Sequence, residues 1–170
     1  MSLFLDWVTN IEAQANEAWL TKSQQDAYDM IIERWSNAPF VCLCGLPGSG
    51  KTFVARLLVQ HHGYHYTHNL EEVKAGSKQV IVDNAEYSRM MRSTATVLGL
   101  QRVIIICQQP PIDPMPHAKI CLTDRDVAQF RQNITRNGVL SSFLTHIETT
   151  NLDLILRTEA IGRGVPHVNR

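Results

Sequence analysis

The sequence has no excess of either charge, because 16 Lys and Arg residues balance 16 Asp and Glu residues. A chain with this balance lacks the overall positive field that draws many proteins to nucleic acid, although a local basic patch stays compatible with it. No stretch approaches the roughly 18 apolar residues of a membrane span. The start, MSLFLDWVTN, has neither the basic segment nor the long apolar run of a signal peptide. We therefore expect a cytoplasmic protein with no membrane partner.

Cysteine is scarce, and its placement argues against disulfides. Of the four cysteines, Cys42, Cys44 and Cys107 lie in apolar runs typical of buried strands, and Cys121 lies in AKICLT. Cysteines of this kind behave as small hydrophobic residues in a reducing compartment. We expect four buried, reduced thiols.

Five short apolar runs follow one another between Phe40 and Thr123, and helical patterns separate most of them. The runs are FVCLC, YHYTH, QVIVDN, RVIIICQQ and AKICLT. A continuous apolar run of this length is typical of a strand covered on both faces, and alternation with helices indicates parallel pairing. The sequence therefore predicts an α/β fold with three layers and a five-stranded, mainly parallel sheet.

Helical patterns without strands fill both ends of the chain. Apolar spacing predicts helices over residues 3–19, 21–35, 124–137, 139–149 and 151–161. The second of these begins with Thr21 and Gln24, which have the spacing of a capping box. A chain of 170 residues is expected to form one domain, with N-terminal helices in 1–39, a core in 40–123, and a small helical segment and tail in 124–170.

The stretch GLPGSGKT, at positions 45–52, carries the most specific pattern in the chain. The stretch matches the Walker A pattern, in which Gly45 and four further residues precede Gly50, Lys51 and Thr52. It lies between a predicted strand and a predicted helix, as this pattern requires. Glycine lets backbone N–H groups turn towards phosphate oxygens, and the helix start adds its positive dipole end. Lys51 is expected to reach the β- and γ-phosphates of ATP, and the Thr52 hydroxyl to hold Mg²⁺. The predicted nucleotide-binding residues are Leu46, Pro47, Gly48, Ser49, Gly50, Lys51, Thr52 and Phe53.

An acidic residue ends the third run, where QVIVDN places Asp83. We expect Asp83 to hold Mg²⁺ together with Thr52. P-loop ATPases often have Glu directly after this Asp to orient the attacking water, but this chain has Asn84, which cannot act as a base. The following AEYSRMMRSTATVL predicts a helix, so two interpretations of Glu86 stay open: it replaces the missing base, or it complements the dipole in the first turn of that helix.

The fourth run ends in Gln108 and Gln109. In P-loop ATPases of the additional-strand type, the strand beside the loop often ends in a polar residue that hydrogen-bonds the γ-phosphate. Gln108 or Gln109 is the candidate for this role, and the alternative is two polar residues that open a proline-rich loop. The predicted catalytic residues are Lys51, Asp83, Glu86 and Gln108.

From about Phe40 to Thr123 the chain resembles the core of additional-strand P-loop ATPases, and the DnaA-related AAA+ proteins most. The segments GLPGSGKT, VIVDNAE and VIIICQQPP carry this resemblance. It implies that the helices after residue 124 form a small lid. It also implies a protein that binds ATP with Mg²⁺ and hydrolyses it, as a regulator or loader acting on DNA or on a larger ATPase assembly. A homo-oligomer is compatible with this resemblance.

Other segments resemble other P-loop families. IIICQQPPIDP is similar to the strand of FtsK–HerA ATPases that ends in Gln before a proline-containing loop. LTKSQQDAYDMI resembles the adenine-reading glutamine motif of superfamily 1 helicases through Gln24 or Gln25, although a capping box explains the same residues.

Two other classes of function stay open. GSGKTFVARLLVQHHGYHY resembles the start of a small nucleoside or polynucleotide kinase, and a nucleotide-binding assembly module with little turnover is the third alternative. The strand order separates the two enzyme classes. A strand inserted between the loop strand and the Asp83 strand favours an ATPase, and direct adjacency of those two strands favours a kinase.

Overall fold

The computed structural model describes residues 16–136 and also 151, 152, 154 and 155. The helix predicted over 139–149 and most of those predicted over 3–19 and 151–161 lie outside the described residues. At the end of the first, Glu17–Trp19 form a 3₁₀ turn. Leu152, Leu154 and Ile155 are helical, in agreement with the last prediction.

The described strands form one sheet in which every pairing is parallel. The strands are β1 (Phe40–Gly45), β2 (His65–Thr67), β3 (Gln79–Val82), β4 (Arg102–Cys107) and β5 (His117–Ile120). Their order across the sheet is β2-β3-β4-β1-β5. β4 therefore lies between β1 and β3, with Phe40 of β1 opposite Val103 and Gln79 of β3 opposite Arg102. The five predicted strands and their parallel pairing are confirmed.

Four α-helices complete the described part of the chain. They are α1 (Lys22–Asp29), α2 (Lys51–His62), α3 (Arg89–Val97) and α4 (Asp124–Arg136). α1 continues as a π-helical stretch, Met30–Arg34, and short 3₁₀ turns lie at Glu17–Trp19 and Leu70–Glu72.

The sheet is covered on both faces, which gives the predicted three layers. Successive side chains of a strand point to opposite faces, so the apolar runs of β1, β3 and β4 supply two cores. One core lies under α1 and α2 and contains Ala27, Tyr28, Ile31, Val41, Leu43, Val54, Leu57, Leu58, Ile81, Ile104 and Ile106. The other lies under α3 and contains Cys42, Leu70, Val80, Val82, Ala95, Val103 and Ile105. α1 is therefore part of the same core as β1.

The start of α3 differs from the prediction. The sequence pattern predicts a helix from Ala85, but α3 begins at Arg89, because the Ser88 side chain accepts a hydrogen bond from the Met91 N–H and caps the helix there. Glu86 lies in the loop before that cap and is exposed. The interpretation of Glu86 as an acid in the first turn of a helix is therefore wrong.

The four cysteines are free thiols, but not all are buried. Cys42 and Cys44 are buried and Cys107 is half-buried, whereas Cys121 is exposed. The prediction is wrong for Cys121 because β5 alternates between buried and exposed residues, and Cys121 continues the exposed set that contains His117 and Lys119.

Among the described residues, no helix combines the length and the apolar character needed to cross a membrane.

Asp126 joins the N-terminal ends of two helices. Its carboxylate accepts hydrogen bonds from the Ser23 N–H (2.9 Å) and hydroxyl (2.8 Å) in α1. It also accepts from the Thr123 N–H (2.8 Å) and hydroxyl (2.6 Å) before α4. Burial alone would raise the pKa of Asp126, but the hydrogen bonds from Ser23 and Thr123 outweigh it and lower the pKa to about 2.

Replacing Asp126 with Asn should lower the free energy of unfolding by about 2 kcal/mol at pH 7. The reason is that the pKa of Asp126 falls from about 3.9 in the unfolded chain to about 2 in the folded protein. A folded pKa below the unfolded one stabilises the protein above the unfolded pKa, and this stability is lost as the pH falls from about 5 towards 2. Urea unfolding between pH 3 and 7 measures it. Wild type should lose stability across this range, and Asp126→Asn should lose about 1 kcal/mol less, because the rest of the effect is lost only below pH 3. If the stability of the two proteins changed with pH in the same way, the lowered pKa of Asp126 would be contradicted.

Candidate phosphate-binding site

The loop between β1 and α2 lies at the carboxyl edge of the sheet and turns back on itself. The Ser49 N–H donates to the Leu46 carbonyl at 3.1 Å, which closes a tight turn. Gly48 and Gly50 adopt positive φ angles of 76° and 85°. This left-handed backbone is strained for other residues and lets successive N–H groups converge on one point, as in anion-binding nests.

The start of α2 supplies further N–H donors. The first bond of its helical ladder runs from the Val54 N–H to the Gly50 carbonyl at 3.1 Å. The N–H groups of Lys51, Thr52 and Phe53 precede this ladder, so they and the positive end of the helix dipole are directed at the same place. The Phe53 side chain packs against the core, so only its backbone can serve the site.

Lys51 bends back over its own loop. Its Nζ donates to the carbonyl oxygens of Gly45 at 2.7 Å and Leu46 at 2.9 Å. An ammonium group has three donors, so these bonds leave capacity for a further acceptor such as a phosphate oxygen. Burial lowers the pKa of Lys51 below its ordinary value, and the Asp83 carboxylate opposes this shift. Lys51 and Asp83 therefore interact electrostatically across the site.

The two candidate metal ligands meet at a tyrosine. The hydroxyl of Tyr66, the middle residue of β2, donates a short hydrogen bond to Oδ2 of Asp83 and also interacts with the Thr52 side chain. Burial, and then the bond to Asp83, raise the pKa of Tyr66. Thr52 and Asp83, which are 31 positions apart in the chain, thus converge on one hydroxyl group.

Sequence reasoning did not identify Tyr66 as part of the site. The alternation in YHYTH could have placed it on one face of a strand, but its bond to Asp83 depends on the pairing of β2 with β3, where Tyr66 lies opposite Ile81. No local pattern gives that register.

The candidate catalytic residues Glu86 and Gln108 line a separate cleft. Asn84, Glu86 and Gln108 lie together around a cleft of roughly 760 Å³ between the loops that follow β3 and β4. Asn84 has a positive φ of 55° and donates its N–H to the Asp83 carboxylate at 2.8 Å. Neither Lys51 nor Thr52 lines this cleft. The structure therefore groups Glu86 with Gln108, next to Asp83 but apart from the loop lysine.

Two segments outside the central strands contact the back of the loop. Gln24 of α1 donates its Nε2–H to the Ser49 carbonyl at 3.0 Å, and the Leu152 N–H donates to the Gly48 carbonyl at 2.9 Å. Leu152 and Ser49 are each 3% exposed. The outward carbonyl groups of the loop are therefore hydrogen-bonded by the protein itself.

The described residues contain no group of three or more His, Cys, Asp or Glu side chains able to hold a metal ion. A Mg²⁺ ion bound with a nucleotide needs fewer protein ligands, because phosphate oxygens and water complete its octahedron. One hydroxyl and one carboxylate, as at Thr52 and Asp83, fit that requirement.

Comparison with known proteins found no family model that matches the chain and no curated protein with significant similarity to it.

Replacing Gly50 with Ala should destabilise the protein more than the same substitution at Gly76. A Cβ at Gly50 would lie 2.1 Å from Nε2 of Gln24, so either the loop shifts or the buried Gln24 amide moves and loses its hydrogen bond to the Ser49 carbonyl. Gly76 is the matched control, because its φ of 87° resembles the 85° of Gly50 and a Cβ there would meet nothing within 4 Å. Both substitutions carry a backbone penalty of about 1 kcal/mol. Thermal unfolding of both variants measures the difference. Gly50→Ala should cost at least about 1 kcal/mol more, and equal losses would contradict the close packing of Gln24.

Proposed function

We propose that the protein binds a nucleoside triphosphate, ATP, with Mg²⁺ at the 45–52 loop, and that it hydrolyses the nucleotide slowly. The observation that carries this proposal is the convergence at one edge of the sheet. The loop N–H groups, the ammonium of Lys51 and the Thr52–Tyr66–Asp83 cluster meet there, although they come from the segment after β1, from β2 and from the segment after β3.

The strand order supports an ATPase over a kinase. β4 lies between β1, which carries the loop, and β3, which carries Asp83. In the two classes considered, an inserted strand is typical of the additional-strand ATPases, and adjacency is typical of the kinases. The inserted strand also brings Gln108 close to Asn84 and Glu86.

Each side chain has a role that follows from its chemistry. Lys51 would neutralise charge on the β- and γ-phosphates, and the loop N–H groups would hold their oxygens. Thr52 and Asp83 would hold Mg²⁺, which neutralises charge on the triphosphate when bound. Tyr66 would orient the Asp83 carboxylate by donating a hydrogen bond to Oδ2, while Oδ1 accepts from the Asn84 N–H. Each carboxylate oxygen has a second lone pair with which it would ligate the metal.

The slow turnover follows from Asn84. An amide cannot accept a proton from water, so a base must come from another residue. Glu86 lines the same cleft as Gln108 and is exposed, which leaves its carboxylate accessible to water. We infer that Glu86 activates or orients the attacking water and that Gln108 contacts the γ-phosphate.

The wider role that we propose is that of an AAA+-like regulator or loader that acts on DNA or on a larger ATPase. Its support is the resemblance of the three strand-end segments, together with the missing glutamate after Asp83. An enzyme with an incomplete site is suited to stimulation by a neighbouring subunit or a partner that completes it.

Replacing Lys51 with Ala should weaken ATP binding by about a hundredfold, because it removes a charge-assisted contact to the phosphates. Isothermal titration calorimetry with Mg–ATP measures the affinity. Lys74→Ala is the matched control, since Lys74 is exposed and lies in the segment before β3. Unchanged affinity in a folded Lys51→Ala protein would overturn the proposed binding site.

Phosphate release from ATP should be slow at high dilution and rise with protein concentration, with DNA, or with a partner ATPase. Glu86→Gln should lower the stimulated rate by about 10²-fold or more if Glu86 acts as the base. Glu71→Gln, an equal change at another exposed glutamate, should leave the rate unchanged. Fast turnover at high dilution would contradict the slow-hydrolysis proposal, and transfer of phosphate to a nucleoside would favour the kinase instead.

A further inference from the structure

The amide group of Gln24 joins α1 to the phosphate loop. Its Oε1 accepts a hydrogen bond from the Thr21 N–H at 3.0 Å, and its Nε2 donates to the Ser49 carbonyl at 3.0 Å. Gln24 is 2% exposed, and a Cβ on Gly50 would lie 2.1 Å from its Nε2. The amide therefore fills the space behind the loop and is bonded to it.

The bond to Ser49 fixes the direction of a neighbouring donor. In a trans peptide the carbonyl and the N–H lie in one plane and point in opposite directions. The Ser49 carbonyl and the Gly50 N–H belong to the same peptide unit. Holding the carbonyl towards Gln24 therefore turns the Gly50 N–H away from Gln24, to the opposite side of the loop.

Glycine makes this restraint necessary. Gly50 populates positive and negative φ about equally when nothing holds it, so the peptide before it could rotate and turn its N–H outward. The turn closed by Ser49 and Leu46 fixes the loop up to position 49. The hydrogen bond from Gln24 acts on the next peptide, at the junction between the turn and α2.

We propose that Gln24 is a positioning residue for phosphate binding, which holds the Ser49–Gly50 peptide with its N–H directed at the bound phosphates. This inference rests on the proposed nucleotide site at the loop. It differs from the adenine-reading role implied by the helicase resemblance, because both polar atoms of the Gln24 amide are bonded to the protein and the residue is buried.

Gln24→Glu separates helix capping from loop positioning. The carboxyl group still accepts from the Thr21 N–H, since Glu is a common residue at this position of a capping box. When ionised, its second oxygen faces the Ser49 carbonyl and repels it, whereas a protonated carboxyl can donate a hydrogen bond in place of Nε2–H. Burial raises the pKa of such a carboxyl group, so protonation restores the bond at mildly acidic pH.

The measurement is the affinity of each protein for ADP and for inorganic pyrophosphate, with Mg²⁺, between pH 5.5 and 8. Gln24→Glu should bind both ligands about tenfold more weakly than wild type at pH 8. The ratio to wild type should approach one as the pH falls, and taking this ratio cancels the protonation of the ligands. A deficit that is constant with pH, or one seen with ADP and not with pyrophosphate, would overturn the proposal.

Two further variants serve as controls. Gln24→Met has nearly the same length but no polar atoms, so its binding deficit should not change with pH. Gln25→Glu places the same charge on the same helix, at a residue whose Nε2 donates to Asp29 and not to the loop. Its affinity should match that of wild type at every pH, and a pH-dependent deficit there would overturn the role of the Ser49 bond.

Hydrogen exchange of the ligand-free protein tests the restraint without any nucleotide. The peptide that covers residues 46–50 should exchange faster in Gln24→Glu than in wild type at pH 8, and the difference should shrink at pH 5.5. Equal exchange at pH 8 would overturn the positioning role. Faster exchange in the variant, with no nucleotide binding by wild type, would leave the restraint in place and reject the proposed function instead.

Discussion

The position of β1 inside the sheet, between β4 and the edge strand β5, is the constraint on which the site depends. β1 pairs with β4 on one side and β5 on the other, and Val41–Gly45 are buried. A strand held on both sides presents its carboxyl end at a fixed place, so the loop that follows starts from a rigid support. At that end a Cβ on Gly45 would lie 2.8 Å from the Ile120 carbonyl and 2.8 Å from Oγ of Ser49. The first glycine of the loop is thus required by close packing, since its φ is not positive.

The donors of the loop are held in place before any ligand arrives. Its outward carbonyl groups are bonded by Gln24 and Leu152, and Lys51 is bonded to the start of the loop. Tyr66 in turn holds the Asp83 carboxylate. A site whose donors are already oriented loses less conformational freedom on binding, and preorganised dipoles act more strongly on the charge of a bound anion.

Local patterns predicted the elements well, and long-range contacts explain what they missed. The apolar runs gave the five strands, and the glycine pattern placed the loop between β1 and α2. The strand order could not be derived, because it depends on which strands pair and the runs of β1, β3 and β4 are all apolar on both faces. Tyr66 was missed as part of the site, and Gln24 was considered only as an adenine reader or a helix cap, for the same reason: their partners Asp83 and Ser49 lie 17 and 25 positions away. The start of α3 was placed too early because the pattern AEYS suits a helix, whereas the cap at Ser88 decides where the helix begins.

The first turn of α1 connects the loop to the helices at the other end of the chain. Gln24 contacts Ser49, and the preceding residue, Ser23, contacts Asp126 through its N–H and its hydroxyl. Contact alone does not establish energetic coupling between two sites. Here, however, both bonds leave from adjacent residues of one helical turn, and that turn is itself fixed by the bond between Thr21 and Gln24. α1 is therefore a core helix whose first turn is hydrogen-bonded both to the phosphate loop, through Gln24, and to the start of α4, through Ser23.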